Sequence, residues 1–439
     1  MGIDLGQIFH YARVILIDFY GWIFFAGLLI WLTYQIKKLS NIEKFATGLK
    51  WIVLEVKIDE LNERSPFAME QVFAALHAIH SGASWGEQFA GKIVLWLSCE
   101  IVSLGGRVSF MFRLPDKYRT LLESAIFAQY PKAEIYEVED YLKNIPKHYN
   151  PETADFDFWG TQWNKRKQRA ESVYPIRTYG GFEHTEQDTI IDPLANVLEV
   201  MSNIEPYELL ATQLVIKPVQ DEWKGAAQGI INKLKGTPEK PKPPGWIEVL
   251  FFGPLSALFE GLAGLFVPPS EKPEKKEKEA PPSLMQYLSE GEKQTISALE
   301  HTIGKLSYEV HMRVLYLTPA GRLNKGLRIP EIIGAYRNFD DPSLNGIKPD
   351  LAHTWTDTSF KIFQNLEQPI IRKRILTRKR HFLANFKNRD AWKGSGLYYM
   401  NTEELASLYH FPQVPNARVT SLERVQTVKS APPSNLPIG

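Results

Sequence analysis

Cysteine occurs once in the 439 residues, at Cys99, so the chain can form no internal disulfide. That residue lies in the apolar run IVLWLSCEI and reads as a buried thiol on a strand, in keeping with a reducing compartment. An excess of one charge is missing as well. Lys plus Arg number 51 against 50 Asp plus Glu, a net charge of +1, so no whole-chain attraction to nucleic acid follows. Any electrostatic role has to come from local clusters.

Catalytic patterns are absent too. The Gly-Lys pairs, Gly91-Lys92 and Gly304-Lys305, lack the upstream glycine and the following hydroxyl that a phosphate loop needs to cradle phosphate and hold Mg²⁺. Gly394-Ser395-Gly396 is followed by no lysine and reads as a turn. Neither H-E-x-x-H nor G-x-S-x-G occurs. The ten histidines are dispersed except for His77 and His80, which have no evident third ligand. His353, Asp357 and Glu404 could converge only through the fold, because nothing in their spacing brings them together. The expectation is a protein without catalytic residues, cofactor or metal.

What is present begins with an apolar run, VILIDFYGWIFFAGLLIWLTY, from Val14 to Tyr34, whose one charge is Asp18. As a helix it would rise about 31 Å, close to the hydrocarbon thickness of a bilayer. Trp22, Trp31, Tyr20 and Tyr34 are candidate interface anchors. The run is too long for a signal peptide and no small-residue cleavage site follows. Lys37, Lys38, Lys44 and Lys50 come after it, and only Arg13 stands close before it. The positive-inside rule therefore predicts a single-pass anchor over residues 1–40, N-terminus outside and body in the cytoplasm.

The body reads as α+β. Residues 45–150 carry a βαββαβ order: strand 51–58, a helix opened by Pro66, strands 92–102 and 107–114 joined across Gly105-Gly106, a helix opened by Pro115, and strand 133–138. That order suggests a ferredoxin-like sandwich, a fold that hosts many functions. Residues 151–236 form a second α/β unit, with strands at 174–179 and 208–219 and helices from Asp192-Pro193 and Asp221. A third unit spans 284–412. It has capping boxes at Ser289/Glu292 and Asn401/Glu404, a strand at 308–317, a helix near 329–336 and a basic helix at 369–390. Residues 413–439 read as an extended Pro/Ser-rich tail. No internal sequence repeat is visible, although the α/β stretches could be diverged copies of one unit.

Two features invite a surface. Residues 237–283 hold two Pro/Lys linkers around WIEVLFFGPLSALFEGLAGLFVPP. Trp246, Phe251, Phe252, Leu255, Leu258, Phe259, Leu262 and Phe266 suit a membrane-interfacial helix, a helix docked on protein, or a second span, against which Pro254, Glu248 and Glu260 argue. The second feature is RKRILTRKRHF, with Arg372, Lys373, Arg374, Arg378, Lys379 and Arg380. It suits a solvated face, a track for nucleic-acid phosphates, or a contact with anionic lipid. Phe382, Phe386 and Trp392 are compatible with base stacking and equally with a core.

The run WLSCEIVSLGGRVSFMFRLPDKYRTLLESAIFAQYPKAEIYEVEDY resembles a known family. So do LSEGEKQTISALEHTIGKLSYEVHMRVLYL and MNTEELASLYHFP, followed by SAPPSNLPIG. Together they resemble the N-terminal, pre-ATPase part of membrane-anchored, HerA-type conjugation ATPases related to type IV secretion systems. The resemblance implies a bacterial inner-membrane protein that works beside a P-loop motor. The chain stops at Gly439, where that motor would begin, and no ATP-binding residue can be carried over. The reading is therefore a non-catalytic, membrane-anchored scaffold. Its partners would be the membrane, further copies of itself or a separate P-loop ATPase, with nucleic acid along the basic helix as the alternative.

Overall fold

Gly105 and Gly106 have φ of +60° and +88°, and a Cβ on either would come within 2.7 Å of a backbone oxygen, of Pro206 or Ser202. This left-handed pair suits the twist of a tight hairpin. It joins two of the strands from which everything else is built. The computed structural model describes residues 21–236 and 288–413, apart from 60–61, 81, 83, 147, 185–188, 191, 358–367, 395 and 397.

In chain order the elements are α1 (Gly21–Thr47), β1 (Trp51–Lys57), α2 (Pro66–Leu76), α3 (Trp85–Phe89), β2 (Leu97–Leu104), β3 (Arg107–Pro115), α4 (Arg119–Gln129) and β4 (Glu134–Val138). Then come β5 (Phe156–Lys165), a short ribbon of β6 (Glu183–His184) and β7 (Thr189–Ile190), α5 (Ala195–Ser202), β8 (Leu209–Val219) and α6 (Lys224–Leu234). The rest is α7 (Glu290–Ile303), β9 (Ser307–Pro319), α8 (Lys325–Tyr336), β10 (Ile347–Pro349), α9 (Gln368–Asn388), β11 (Tyr398–Asn401) and α10 (Thr402–Leu408).

A nine-stranded antiparallel sheet organises these elements, so the fold is α+β. Its order is β10-β5-β9-β8-β2-β3-β1-β4, with β11 paired to β9. The order divides in the middle. β1, α2, β2, β3, α4 and β4 run strand–helix–strand–strand–helix–strand and lie as fourth, first, third, second. β5, α5, β8, β9, α8 and β10 repeat both the run and the order. The halves join through the second strand of each, with Leu97 opposite Ile216 and Leu104 opposite Leu209.

Side chains alternate across a strand, so the sheet has two faces to cover. One face carries Leu54, Cys99, Phe110, Phe112, Leu214, Met312 and Trp159 under α2, α4, α5, α8 and α10 as one continuous core. The other carries Val53, Val102, Met111, Ala211, Phe158 and Leu315 under Phe382, Leu383 and Phe386 of α9. Gly160 of β5 lets α9 approach, since a Cβ there would lie 2.1 Å from the Phe382 ring.

Several expectations need correcting. Residues 174–179 form no ladder. Pro175 withholds a donor, and the remaining backbone groups go elsewhere: Ile176 N–H to Glu404 Oε1, Arg177 N–H to the Phe339 carbonyl and Tyr179 N–H to Ser407 Oγ. The second strand starts at Leu97 rather than 92, where pairing with β8 begins. β5 was not anticipated at all. The expected linkers and apolar segment at 237–283 fall outside the described residues, as does the tail beyond 413. Among the described residues no helix is long and apolar enough to cross a membrane; residues 14–20 of the expected span are outside them.

Candidate functional site

Helix α1 changes character along its length. Phe25, Leu28, Leu29, Ile30, Trp31, Leu32, Ile36 and Leu39 are all exposed. Positions 28–32 cover every direction around a 3.6-residue turn, so this stretch is apolar all round and not striped. Its foot, by contrast, is fastened to the body. Tyr34 stacks on Phe89 at 5.3 Å, Asn41 Nδ2 donates to the Phe89 carbonyl at 2.8 Å, and Phe45 packs against the main core. Tyr34, expected as an interface anchor, is thus used against protein, whereas Trp31 stays open.

The basic helix α9 forms where it was expected, but its cations divide. Arg372, Lys373 and Arg374 on its first turns are exposed. The later three are tied to the fold. Arg378 donates to the carbonyls of Trp355 and Ala352, Lys379 is buried against Asp157, and Arg380 Nε donates to the Tyr149 carbonyl at 2.9 Å. Lys387 Nζ donates to the carbonyl of Ile145. Phe382 and Phe386 are core residues, while Trp392 is 54% exposed.

A buried clasp ends the helix. Arg389, 1% exposed, adopts φ +50°, a left-handed conformation unusual for a residue with a side chain. Its guanidinium makes two forks: Nε and Nη2 donate to Glu100 at 2.9 and 3.2 Å, and Nη1 and Nη2 donate to Asp140 at 2.5 and 2.8 Å. Glu100 also accepts from Ser98 Oγ, Tyr141 Oη and Gln213 Nε2. Burial alone would raise the Glu100 pKa, but the Arg389 charge and these donors outweigh it and hold the carboxyl below its ordinary range. Asp140 is held down in the same way. The sequence signal was a lone acid inside the apolar run LSCEIV, which calls for a buried partner. Nothing local could say that the partner lies 289 positions away.

On the other face, Lys165 and Glu404 form an ion pair at 2.7 Å with both side chains 0% exposed. Glu404 also closes the expected capping box with Asn401. Residues 401–413 are buried throughout, and Tyr409 Oη reaches the Met111 carbonyl while His410 pairs with Asp192. This strap ties the two halves of the sheet together.

The remaining sequence candidates are each engaged separately. His353 lies against Asp350, Asp357 pairs with Lys325 at 3.3 Å, and His77 pairs with the Val219 carbonyl. Cys99 is buried, and burial with the nearby Glu100 charge pushes its thiol well above the ordinary range, away from nucleophilic use. Among the described residues no three His, Cys, Asp or Glu side chains gather as a metal site requires.

The chain belongs to a family described as a domain of unknown function (DUF8128), which matches residues 35–421. No curated protein matches it.

Proposed function

We propose that the chain is a membrane-tethered scaffold that positions a translocation motor of the conjugation or type IV secretion kind. The observation that carries the reading is α1, apolar on all sides where it leaves the body and fastened by Tyr34, Asn41 and Phe45 where it meets it. A free helix of that character stands at a cost in water, at about 25 cal/mol per Å² of apolar surface. The apolar sequence run from Val14 to Tyr34 has the length that a bilayer-entering helix requires. Lys37, Lys38 and Lys44 at its foot favour a cytoplasmic body.

The body suits a platform. Two ferredoxin-like units share one sheet, both faces are covered, and the Arg389 clasp and the 401–413 strap hold the parts rigidly. The partner class, a separate P-loop ATPase, rests on the family resemblance. A nucleic-acid track along α9 has less support, because Arg378, Lys379 and Arg380 are engaged by the fold.

The test is extraction of bacterial membranes holding the full chain. The chain is expected to resist alkaline carbonate and to yield only to detergent. Release by carbonate would overturn the tether. From the detergent extract a P-loop ATPase is expected to co-purify; recovery of a lone monomer would overturn the scaffold.

A further inference from the structure

Between α9, the loop after it and the sheet lies a cavity of about 780 Å³. Its wall gathers Arg313 of β9, Arg378 and His381 of α9, His353 from the turn after β10, and Lys393 from the loop. Five basic side chains converge, and no carboxylate is among the lining residues. Two acids stand close to this wall: Asp350 caps the N–H groups of Ala352 and His353, lies 3.3 Å from His353 Nδ1 and acts on Arg378, and Asp390 caps those of Trp392 and Lys393 and acts on Arg313. Lys393 Nζ stands 3.7 Å from Asp390.

Arg313 sets the charge of this wall. It is 1% exposed, and its Nη1 and Nη2 donate to Gln213 Oε1 and to the carbonyls of Asn385, Asp390 and Lys393. Every one of these acceptors is neutral. Burial lowers its pKa to about 10, so it remains a cation at neutral pH. The Asp390 and Glu100 carboxylates act on it through space, but neither carboxylate accepts a hydrogen bond from it, so its donors end on neutral oxygens beside the cavity. His311 behind it adds nothing, since burial and the Arg313 charge pull it down to about 4.

The other basic groups have donors to give. Of its five N–H groups, Arg378 places two on carbonyls among the described residues. His381 is exposed and has no hydrogen-bond partner among the described residues. The volume falls within the roughly 300–1,000 Å³ typical of small-molecule sites. Guanidinium, ammonium and imidazole groups around such a space match phosphate oxygens in charge and donor geometry.

We infer that this cavity binds a phosphate-bearing small anion of about nucleotide size. The inference stands apart from the membrane reading, which concerns α1.

The experiment is calorimetric titration of the full chain in detergent with inorganic pyrophosphate, a nucleoside diphosphate and a 20-nucleotide oligothymidylate. Saturable one-site binding of pyrophosphate or the diphosphate is expected. The Lys393→Gln/His381→Gln variant changes only exposed side chains and should keep the unfolding midpoint. It should weaken binding by about tenfold or more, as loss of one charge-assisted bond and one imidazole hydrogen bond predicts. Arg378→Gln should weaken it further. Absence of binding by both small anions, or binding unchanged in the double variant, overturns the inference. Binding of the oligonucleotide alone also overturns it, and transfers the basic residues to a polymer.

Discussion

The two halves of the sheet share an order of strands and differ in how they manage charge. At the seam Glu100 of β2 stands opposite Gln213 of β8. One strand further out, Glu100 faces Met111 and Gln213 faces Arg313, so one half carries its charge on the seam strand and the other carries it one strand out. The acid has found its partner, since Arg389 reaches it from the end of α9 with two matched forks. The base donates its hydrogen bonds only to neutral oxygens, and the Asp390 and Glu100 charges reach it only through space. The half whose charges are hydrogen-bonded to each other reads as a fastening, and the half whose cation is held by neutral oxygens as the side that faces the basic cavity. One helix, α9, serves both.

That contrast can be broken at its strongest point first. Arg389→Met strands two carboxylates, one fully buried, and should cost about 3–5 kcal/mol in denaturant unfolding of the full chain. Arg313→Met removes a cation that no carboxylate hydrogen-bonds, and the acceptors it leaves unpaired are neutral. Its cost should be smaller, about 1–3 kcal/mol in the same measurement. Equal losses for the two would show that the halves do not differ as described.

Acid sharpens the comparison further. Glu100 and Asp140 have folded pKa values below their ordinary 4.5 and 3.8, so the unfolded chain binds protons more readily than the folded one. Their contribution is present above those ordinary values and is lost as pH falls through the depressed ones. Unfolding midpoints measured from pH 6 down to 3 should fall more gently in Glu100→Gln than in the parent chain. A slope unchanged by the substitution would remove the clasp as its source. The smallest effect belongs to the exposed start of α9, where Lys373→Gln should leave the unfolding midpoint in place.

Legibility in the sequence followed the range of the interaction. The capping boxes at Ser289/Glu292 and Asn401/Glu404 form as spaced, because cap and partner are three residues apart. The Gly105-Gly106 hairpin and the buried alternation of Val108, Phe110, Phe112 and Leu114 were equally readable. β5 was not. Its run FDFWGTQWNK looks polar, yet Thr161, Gln162, Asn164 and Lys165 are all buried. Thr161 meets Thr354, Gln162 meets His311 and Lys165 meets Glu404, each far along the chain. For the candidate sites, the basic cluster was visible as composition. Which cations stay exposed was not, since that depends on carbonyls of the 352–355 turn and on Asp157.

By itself, then, the sequence determined the local pieces: the apolar run into α1, the caps, the glycine hairpin, the amphipathic helices and the single buried thiol. These depend on spacing within a turn or a strand. Tertiary structure alone decided that a second strand order repeats the first with 220–306 between two of its strands, that α9 closes the open face, and that one buried cation is hydrogen-bonded by carboxylates and the other by neutral oxygens. Those outcomes arise from desolvation and hydrogen bonding between groups that become neighbours only when the sheet assembles.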